Sequence, residues 1–260
     1  MRATSDNAEI FRDEFRGTVP AGYSGVRHGL IILFTGLAAI ALCSAFFEPA
    51  WRWRDFVVVP LVVLAWNWVE WYVHKKVLHR PGKGAVARAL YTRHTLTHHR
   101  FFTLDDADLR DARDLKIVFF PAFAQPAILV MAGVPALAAG WLISRNAGLL
   151  VVIGTAAMYL LFEAMHLFSH LPQRRWLDRF PLVNTMRRHH RAHHDQGLMM
   201  SHNMNFTLPW ADWYFDTSDV ERGFWGTTFN GSSSRHVRPA QERPAPPSDA
   251  HRGAADGSRP

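Results

Sequence analysis

Eleven of the fifteen histidines fall in four short groups: His74-Lys-Lys-Val-Leu-His79, His94-Thr-Leu-Thr-His98-His99, His166-Leu-Phe-Ser-His170 and His189-His190-Arg-Ala-His193-His194, with His202 shortly after. Imidazole serves as acid, base or metal ligand, and spacing selects among these roles. Residues three or four apart share one helix face. His94 with His98, His166 with His170, and His190 with His193 and His194 can therefore each aim rings at one point. His74 and His79 are five apart and would diverge by roughly 140° on a straight helix, given about 100° per residue; His79 is accordingly expected on a frayed helix end just before Pro81. Eight or more converging imidazoles exceed the four ligands of a closed zinc site and suit two metals, with iron, zinc, copper or nickel all compatible with imidazole. His28, His236 and His251 stand alone and read as ordinary residues.

The segments that must position these groups are apolar. Stretches near 29–47, 56–74, 117–143 and 148–170 carry enough hydrophobic residues to cross a bilayer core of ~30 Å as helices. In the third, Pro121, Pro126 and Pro135 interrupt backbone bonding, leaving one tilted span or a broken one. The expected class is an all-α integral membrane protein of about four transmembrane helices, with a cytoplasmic helical cap over residues 171–230 holding a dinuclear metal site.

The net charge of +7 raises the question of a nucleic-acid partner. If both termini are cytoplasmic, 26 of the 29 Lys and Arg residues lie inside and 3 outside, the bias that sets membrane orientation. The basicity then needs no nucleic acid. In that topology all four histidine groups fall on the cytoplasmic side, although nothing in their spacing required it. The Arg174-Arg175 and Arg187-Arg188 pairs read first as cytoplasmic retention charges. The expected location is a bacterial inner membrane. Cys43, alone, excludes an intramolecular disulfide.

Residues 1–28 read as a cytoplasmic lead in which Ile10, Phe11 and Phe15 rest on the membrane surface, residues 29–230 as the membrane domain with its cap, and 231–260 as a disordered tail without Phe, Trp or Tyr. Glu70 and Glu163 sit within spans, where a carboxylate calls for a reason. Each either accepts the free ring N–H of a neighbouring ligand histidine or reaches the interface or a nearby Lys or Arg. His189 and His202 are candidates for additional ligands or for hydrogen-bond donors around the site, and Asn205 is a candidate for the same surrounding layer.

The order His-x4-His, His-x3-His-His, His-x3-His and His-x2-His-His, followed by Asn205-Phe206-Thr207 and Trp210-Ala211-Asp212-Trp213-Tyr214-Phe215-Asp216-Thr217, resembles the fatty acid hydroxylase and sterol desaturase superfamily over about residues 67–217. Glu70-Trp-Tyr-Val-His74 and the last two histidine groups are most similar to its lipid 2-hydroxylase branch. The resemblance implies a histidine-bound centre of two iron ions, with zinc able to replace iron in purified protein. It also implies O2 as co-substrate and insertion of oxygen into a lipid C–H bond. It carries over His74, His79, His94, His98, His99, His166, His170, His190, His193 and His194 as metal ligands. Two departures stand out: Asp216-Thr217 replaces a frequent Gly-Thr, and Asn203-Met204-Asn205 replaces a glycine-rich run.

The implied partners are a membrane lipid substrate and an external electron donor, a ferredoxin or cytochrome b5-like protein with its reductase, because the chain has no Gly-x-Gly-x-x-Gly dinucleotide fingerprint. Within the superfamily, sterol or carotenoid desaturation or hydroxylation is the alternative. Outside it, the rival is a membrane haem or metal-transport protein. Haem would need paired histidines deep inside spans, and a transporter would need polar residues through the bilayer midplane.

Overall fold

A computed structural model of the chain describes residues 5–174 and 176–238. Arg175 and the last 22 residues, with His251, lie outside them. The described residues form eleven α-helices and no strand; Val220 and Val237 make one isolated antiparallel bridge.

Four helical stretches are long and apolar enough to cross a membrane: Gly25–Ser44, Trp53–Leu78, Ala124–Leu142 and Arg145–His170. The helices α1 (Ser5–Thr18), α2 (Gly25–Ser44) and α3 (Val58–Val73) open the chain. α4 (Ala85–Tyr91), α5 (His99–Phe101) and α6 (Leu115–Val118) lie between the second and third spans. α7 (Ala124–Leu142) and α8 (Arg145–His170) are the last two spans, and α9 (Pro181–His193), α10 (Trp210–Tyr214) and α11 (Phe224–Thr228) form the cap.

The third span is one helix. It begins at Ala124 rather than near residue 117, because Pro121 falls before it and Pro126 lies in its first turn, where no intrahelical N–H is needed. Only Pro135 lies in its interior.

Central in the bundle is α8. Half of its most apolar stretch is buried, against 11–17% for the other spans. Its N-terminal turn packs closely on α7: a Cβ at Gly148 would stand 2.6 Å from the Ala136 carbonyl oxygen, so only glycine fits. At this end, Ser144 Oγ donates to Asp55 Oδ1 (2.6 Å), and Asn146 exchanges two hydrogen bonds with the Glu48 backbone (2.8 and 3.0 Å). These clasps hold the spans together at the end away from the histidines.

At the histidine end, α1 is not spread on a surface as its apolar residues suggested. Phe11 and Phe15 pack against a buried cluster of Phe101, Phe102, Ile117 and Val118, leaving Ile10 exposed. Arg12, with no exposed side-chain surface, pairs with Asp106 (2.8 Å) and donates from Nε to the Phe101 carbonyl (2.7 Å). Residues 231–238, expected to begin a disordered tail, return to the cap instead: Arg238 N donates to the Asp219 carbonyl (2.9 Å).

Candidate metal centre

The five-residue spacing of His74 and His79 is accommodated by a change of helix type rather than by fraying. Span two ends in a π turn over His74–Leu78, closed by His79 N–H to the His74 carbonyl (3.2 Å). A second π turn covers Thr92–His98 and is closed by His99 N–H to the His94 carbonyl. An i→i+5 bond widens the turn, so residues five apart stack where an α-helix would separate them. His74 is thereby paired with His79, and His94 with His99.

The rings consequently assort differently from the helix-face expectation. His74, His79, His94, His99 and His193 bring their nitrogens together in one group; His98, His166, His170 and His190 form a second. Thus His94 and His98 face different groups, as do His190 and His193. His194 stands at the boundary, its Nε2 3.1 Å from that of His190 and its ring centroid 4.5 Å from that of His99. All ten rings are buried.

Protonation follows from the partners of Nδ1. A carbonyl oxygen can only accept, so a ring nitrogen bonded to one carries the hydrogen. His74 donates to the Met204 carbonyl, His170 to Ala107 (2.8 Å), His193 to His202 (2.7 Å) and His194 to Phe102 (2.7 Å). Thr95 gives its hydroxyl hydrogen to the Leu78 carbonyl (2.6 Å) and so accepts from His79 Nδ1 (3.2 Å). In neutral imidazoles so arranged, Nε2 is a lone pair. Burial, reinforced mostly by neighbouring histidines, holds His94, His98, His99, His190 and His194 well below the ordinary histidine range, and burial lowers His193 to about 4.

For His79 with His74 and with His193, the result is lone pair against lone pair. His79 Nε2 lies 3.1 Å from His74 Nε2 and 2.9 Å from His193 Nε2. His94 Nε2 lies 2.8 Å from His74 Nε2 and 3.2 Å from His99 Nε2, and can donate to only one of them. In the second group, His190 Nε2 faces the lone pairs of His170 (3.0 Å) and His194 (3.1 Å), and can donate to only one of them. Metal–imidazole bonds of ~2.0–2.1 Å at roughly right or tetrahedral angles separate ligand nitrogens by about 2.9–3.4 Å. The donor set therefore fits two cations, and a cation is what would turn these repulsions into attraction.

The residues expected around this centre act mainly through a loop. Glu70 and Glu163 were candidates to accept ring N–H groups, but their hydrogen bonds among the described residues go elsewhere. Glu70 accepts from the backbone N–H groups of Phe206 and Thr207 and from the Thr207 hydroxyl (2.6 Å). Glu163 accepts from the Tyr159 hydroxyl (2.7 Å) and Phe120 N–H (3.2 Å). The His202 ring meets Ser201 Oγ, and its carbonyl, not its ring, reaches His193. His189 donates from Nε2 to Asp212 Oδ2 (2.9 Å) and joins neither group.

Spacing gave no sign of Asp212, which organises that loop. Wholly buried, it accepts from His189, Thr217 Oγ1 (2.6 Å) and the N–H groups of Met204 (2.9 Å) and Asn205 (2.7 Å). Burial raises its pKa, yet these donors outweigh it and keep the carboxyl below the usual range. Asn205 accepts from Asp212 N–H (3.0 Å) and donates to the Asn67 carbonyl (2.8 Å), while Asn67 donates to the Leu208 carbonyl (2.6 Å). The carbonyls of residues 202 and 204 are thereby fixed where His193 and His74 need them. An aspartate inside the aromatic run Trp210–Phe215 was the available signal, since an acid among buried aromatics demands donors.

A family model described as fatty acid hydroxylase matches residues 59–217, more than half of the chain and all ten histidines. The chain belongs to the fatty acid hydroxylase family. No curated protein and no solved structure matches it. Membership in the fatty acid hydroxylase family implies an oxidoreductase of the membrane hydroxylase and desaturase type, and the four apolar spans and the two histidine groups accord with it. The matched segment ends at Thr217, the hydroxyl that closes the Asp212 network, whereas Arg12 and α1 lie outside it.

Proposed function

We propose that the chain is a dinuclear iron oxygenase that uses O2, and electrons delivered by a separate protein, to hydroxylate a C–H bond of a lipid or fatty acyl chain. The observation that carries this reading is the convergence of ring nitrogens in two adjoining buried groups, supplied entirely by imidazole. His74, His79, His94, His99 and His193 would hold one iron, and His98, His166, His170 and His190 the other, with His194 between them. Bound iron would supply the activation of O2 and the attack on an unreactive C–H bond; zinc would take the same places in overproduced protein.

The carbonyls of residues 102, 107, 202 and 204 take the ring hydrogens of His194, His170, His193 and His74, which orients these rings and leaves their Nε2 atoms free, and burial excludes water. The site lies at the ends of the second and fourth apolar spans, a position that would put it near the headgroup region and let a lipid reach it laterally without leaving the membrane. The Lys/Arg bias supports a cytoplasmic position for this end and for both termini, within reach of a ferredoxin or cytochrome b5-like donor. The motif resemblance to the lipid 2-hydroxylase branch supports an acyl lipid as substrate.

Untargeted lipid mass spectrometry of cells expressing the chain with a competent donor, grown under labelled oxygen gas, tests the proposal. A lipid heavier by one oxygen atom, labelled from O2 and absent with His194→Ala, is expected. Loss of two hydrogens without oxygen would reassign the activity to desaturation, and no lipid change would overturn the oxygenase reading.

A further inference from the structure

The cap does not stand clear of the spans. Asn67, wholly buried and seven residues before His74 on span two, lies ~10 Å further from the histidine end by helical rise. At that depth it holds the start of α10: its side chain donates to the Leu208 carbonyl (2.6 Å) and accepts from Ala211 N–H (2.7 Å). One turn nearer the histidines, Glu70 accepts from the N–H groups of Phe206 and Thr207. The chain from Phe206 to Ala211 therefore runs alongside the membrane-crossing part of span two.

Irregular backbone at membrane depth must find its hydrogen-bond partners within the protein, because lipid offers none. This segment does so. Glu70 takes the N–H groups of Phe206 and Thr207, Asn67 that of Ala211, and Asp212 those of Met204 and Asn205. Two polar side chains in an apolar span, costly there by themselves, thus serve the backbone of a loop that has descended from the cap.

Beyond the loop, a ladder of rings continues the outer side of span two, where Trp68, Val69 and Tyr72 are exposed. Trp68 meets Tyr214 and Phe215, with centroids 5.3 Å apart in each case, and Phe215 stacks on Trp71 at 4.2 Å. Trp213 meets Phe224 (5.2 Å), Phe224 meets Trp225 (5.0 Å) and Trp225 meets Phe229 (6.2 Å). Tyr214, Trp225 and Phe229 are 61%, 69% and 52% exposed, more than Trp68 at 48%. Lys75 lies over Trp71, and Asp216, Glu221, Arg222 and Arg238 gather about one hollow beside Trp213, so charged side chains border the ladder.

We propose that residues 206–229 form an interfacial element of the membrane domain, with Tyr214, Trp225 and Phe229 lying against lipid in the leaflet that holds the histidine end of the spans. Depth decides for lipid over a protein partner: Tyr214 touches Trp68, and Trp68 is on the exposed side of a helix that crosses the bilayer. Trp and Tyr suit the headgroup–acyl boundary, where one end of the ring is wet and the other apolar. The outer part of the ladder, α11, lies beyond the segment matched by the family, which ends at residue 217. The proposal requires that span two crosses a membrane and is independent of the reaction.

Nitroxide labels are attached to Tyr214→Cys, Trp225→Cys and Phe229→Cys, each in a full chain carrying Cys43→Ser and reconstituted in vesicles of phosphatidylcholine and phosphatidylglycerol. Tyr72→Cys is the reference on span two and Glu221→Cys the reference in water. At the three test positions, collisions with a water-soluble nickel chelate should be lost to the level at Tyr72, while collisions with dissolved oxygen stay high. Glu221 should show the reverse.

Nickel collisions at the Glu221 level would put this face in water and overturn the proposal. Loss of both kinds of collision would mean a protein partner, and spin–spin broadening between labelled chains a second copy; either would also overturn it. The native chain gives a test that no substitution can spoil. A phosphatidylcholine bearing a photoreactive diazirine near the top of its acyl chain, in the same vesicles, should crosslink to residues 213–229 as well as to span two. Crosslinks confined to the spans would overturn the proposal whether or not the labelled variants fold.

Discussion

The Nε2 atoms of His79 and His193 lie 2.9 Å apart, and neither has a hydrogen to place between them, because both rings are protonated on Nδ1 by their bonds to Thr95 and the His202 carbonyl. Such a contact is stable only with a cation in the gap. Stripping metal with a chelator should therefore lower the melting temperature and expose the fold to acid. His193 is held at about 4 by burial, against about 6.5 for an unfolded histidine. Between these values the unfolded chain binds the extra proton, so stability falls as pH drops from about 6.5 towards 4. Thermal melts of chelated protein across this range should show that loss, with metal-bound protein resisting to lower pH; a flat profile for the chelated form would refute the neutral-ring assignment.

Asp212 should control metal affinity without touching metal. Asp212→Asn keeps the shape but removes the charge that gathers His189, Thr217 and the Met204 and Asn205 N–H groups. Loss of such outer partners typically weakens metal binding or activity about 10–100-fold. Competitive metal titration should show that weakening at the first group, whose His74 and His193 lean on the loop carbonyls, and a smaller change at the second.

Arg12 should do the converse. It braces the 101–107 segment through the Phe101 carbonyl and Asp106, and that segment supplies the carbonyls for His194 and His170. Arg12→Ala breaks a buried charged contact, a change that costs on the order of 3 kcal/mol. The melting temperature should fall, and metal should leave the second group first. Removal of α1 altogether should reproduce the effect.

Much of this arrangement is legible in the sequence because it depends on composition and short-range periodicity. The spans follow from apolar length, and the convergence of histidines at one end follows from their places on those spans. The partition into two groups is not read from helix spacing, because it depends on two π turns. Its trace is the repeated five-residue interval, His74 to His79 and His94 to His99, which an α-helix cannot align. The loop that fixes the ring orientations was opaque for another reason: its work is done by backbone carbonyls at 202 and 204, which carry no residue signature.

The two departures from glycine have a backbone explanation. Asn203 (φ 58°) and Asp216 (φ 53°) are the non-glycine residues with positive φ among those described, and Asn and Asp are the side chains that tolerate this region best. Asn203 is further secured through its amide to the His189 carbonyl (3.0 Å) and Asp219 (2.8 Å). Both substitutions therefore preserve the chain path that glycine would allow.

The most direct test of two adjoining metal sites is the metal content per chain of purified protein, measured together with two single variants. The native protein should hold two ions per chain. His79→Ala should remove the ion of the first group and His170→Ala that of the second, each leaving about one, since the two groups draw on separate histidines. One ion per chain in the native protein, or full occupancy retained in both variants, would contradict the dinuclear centre.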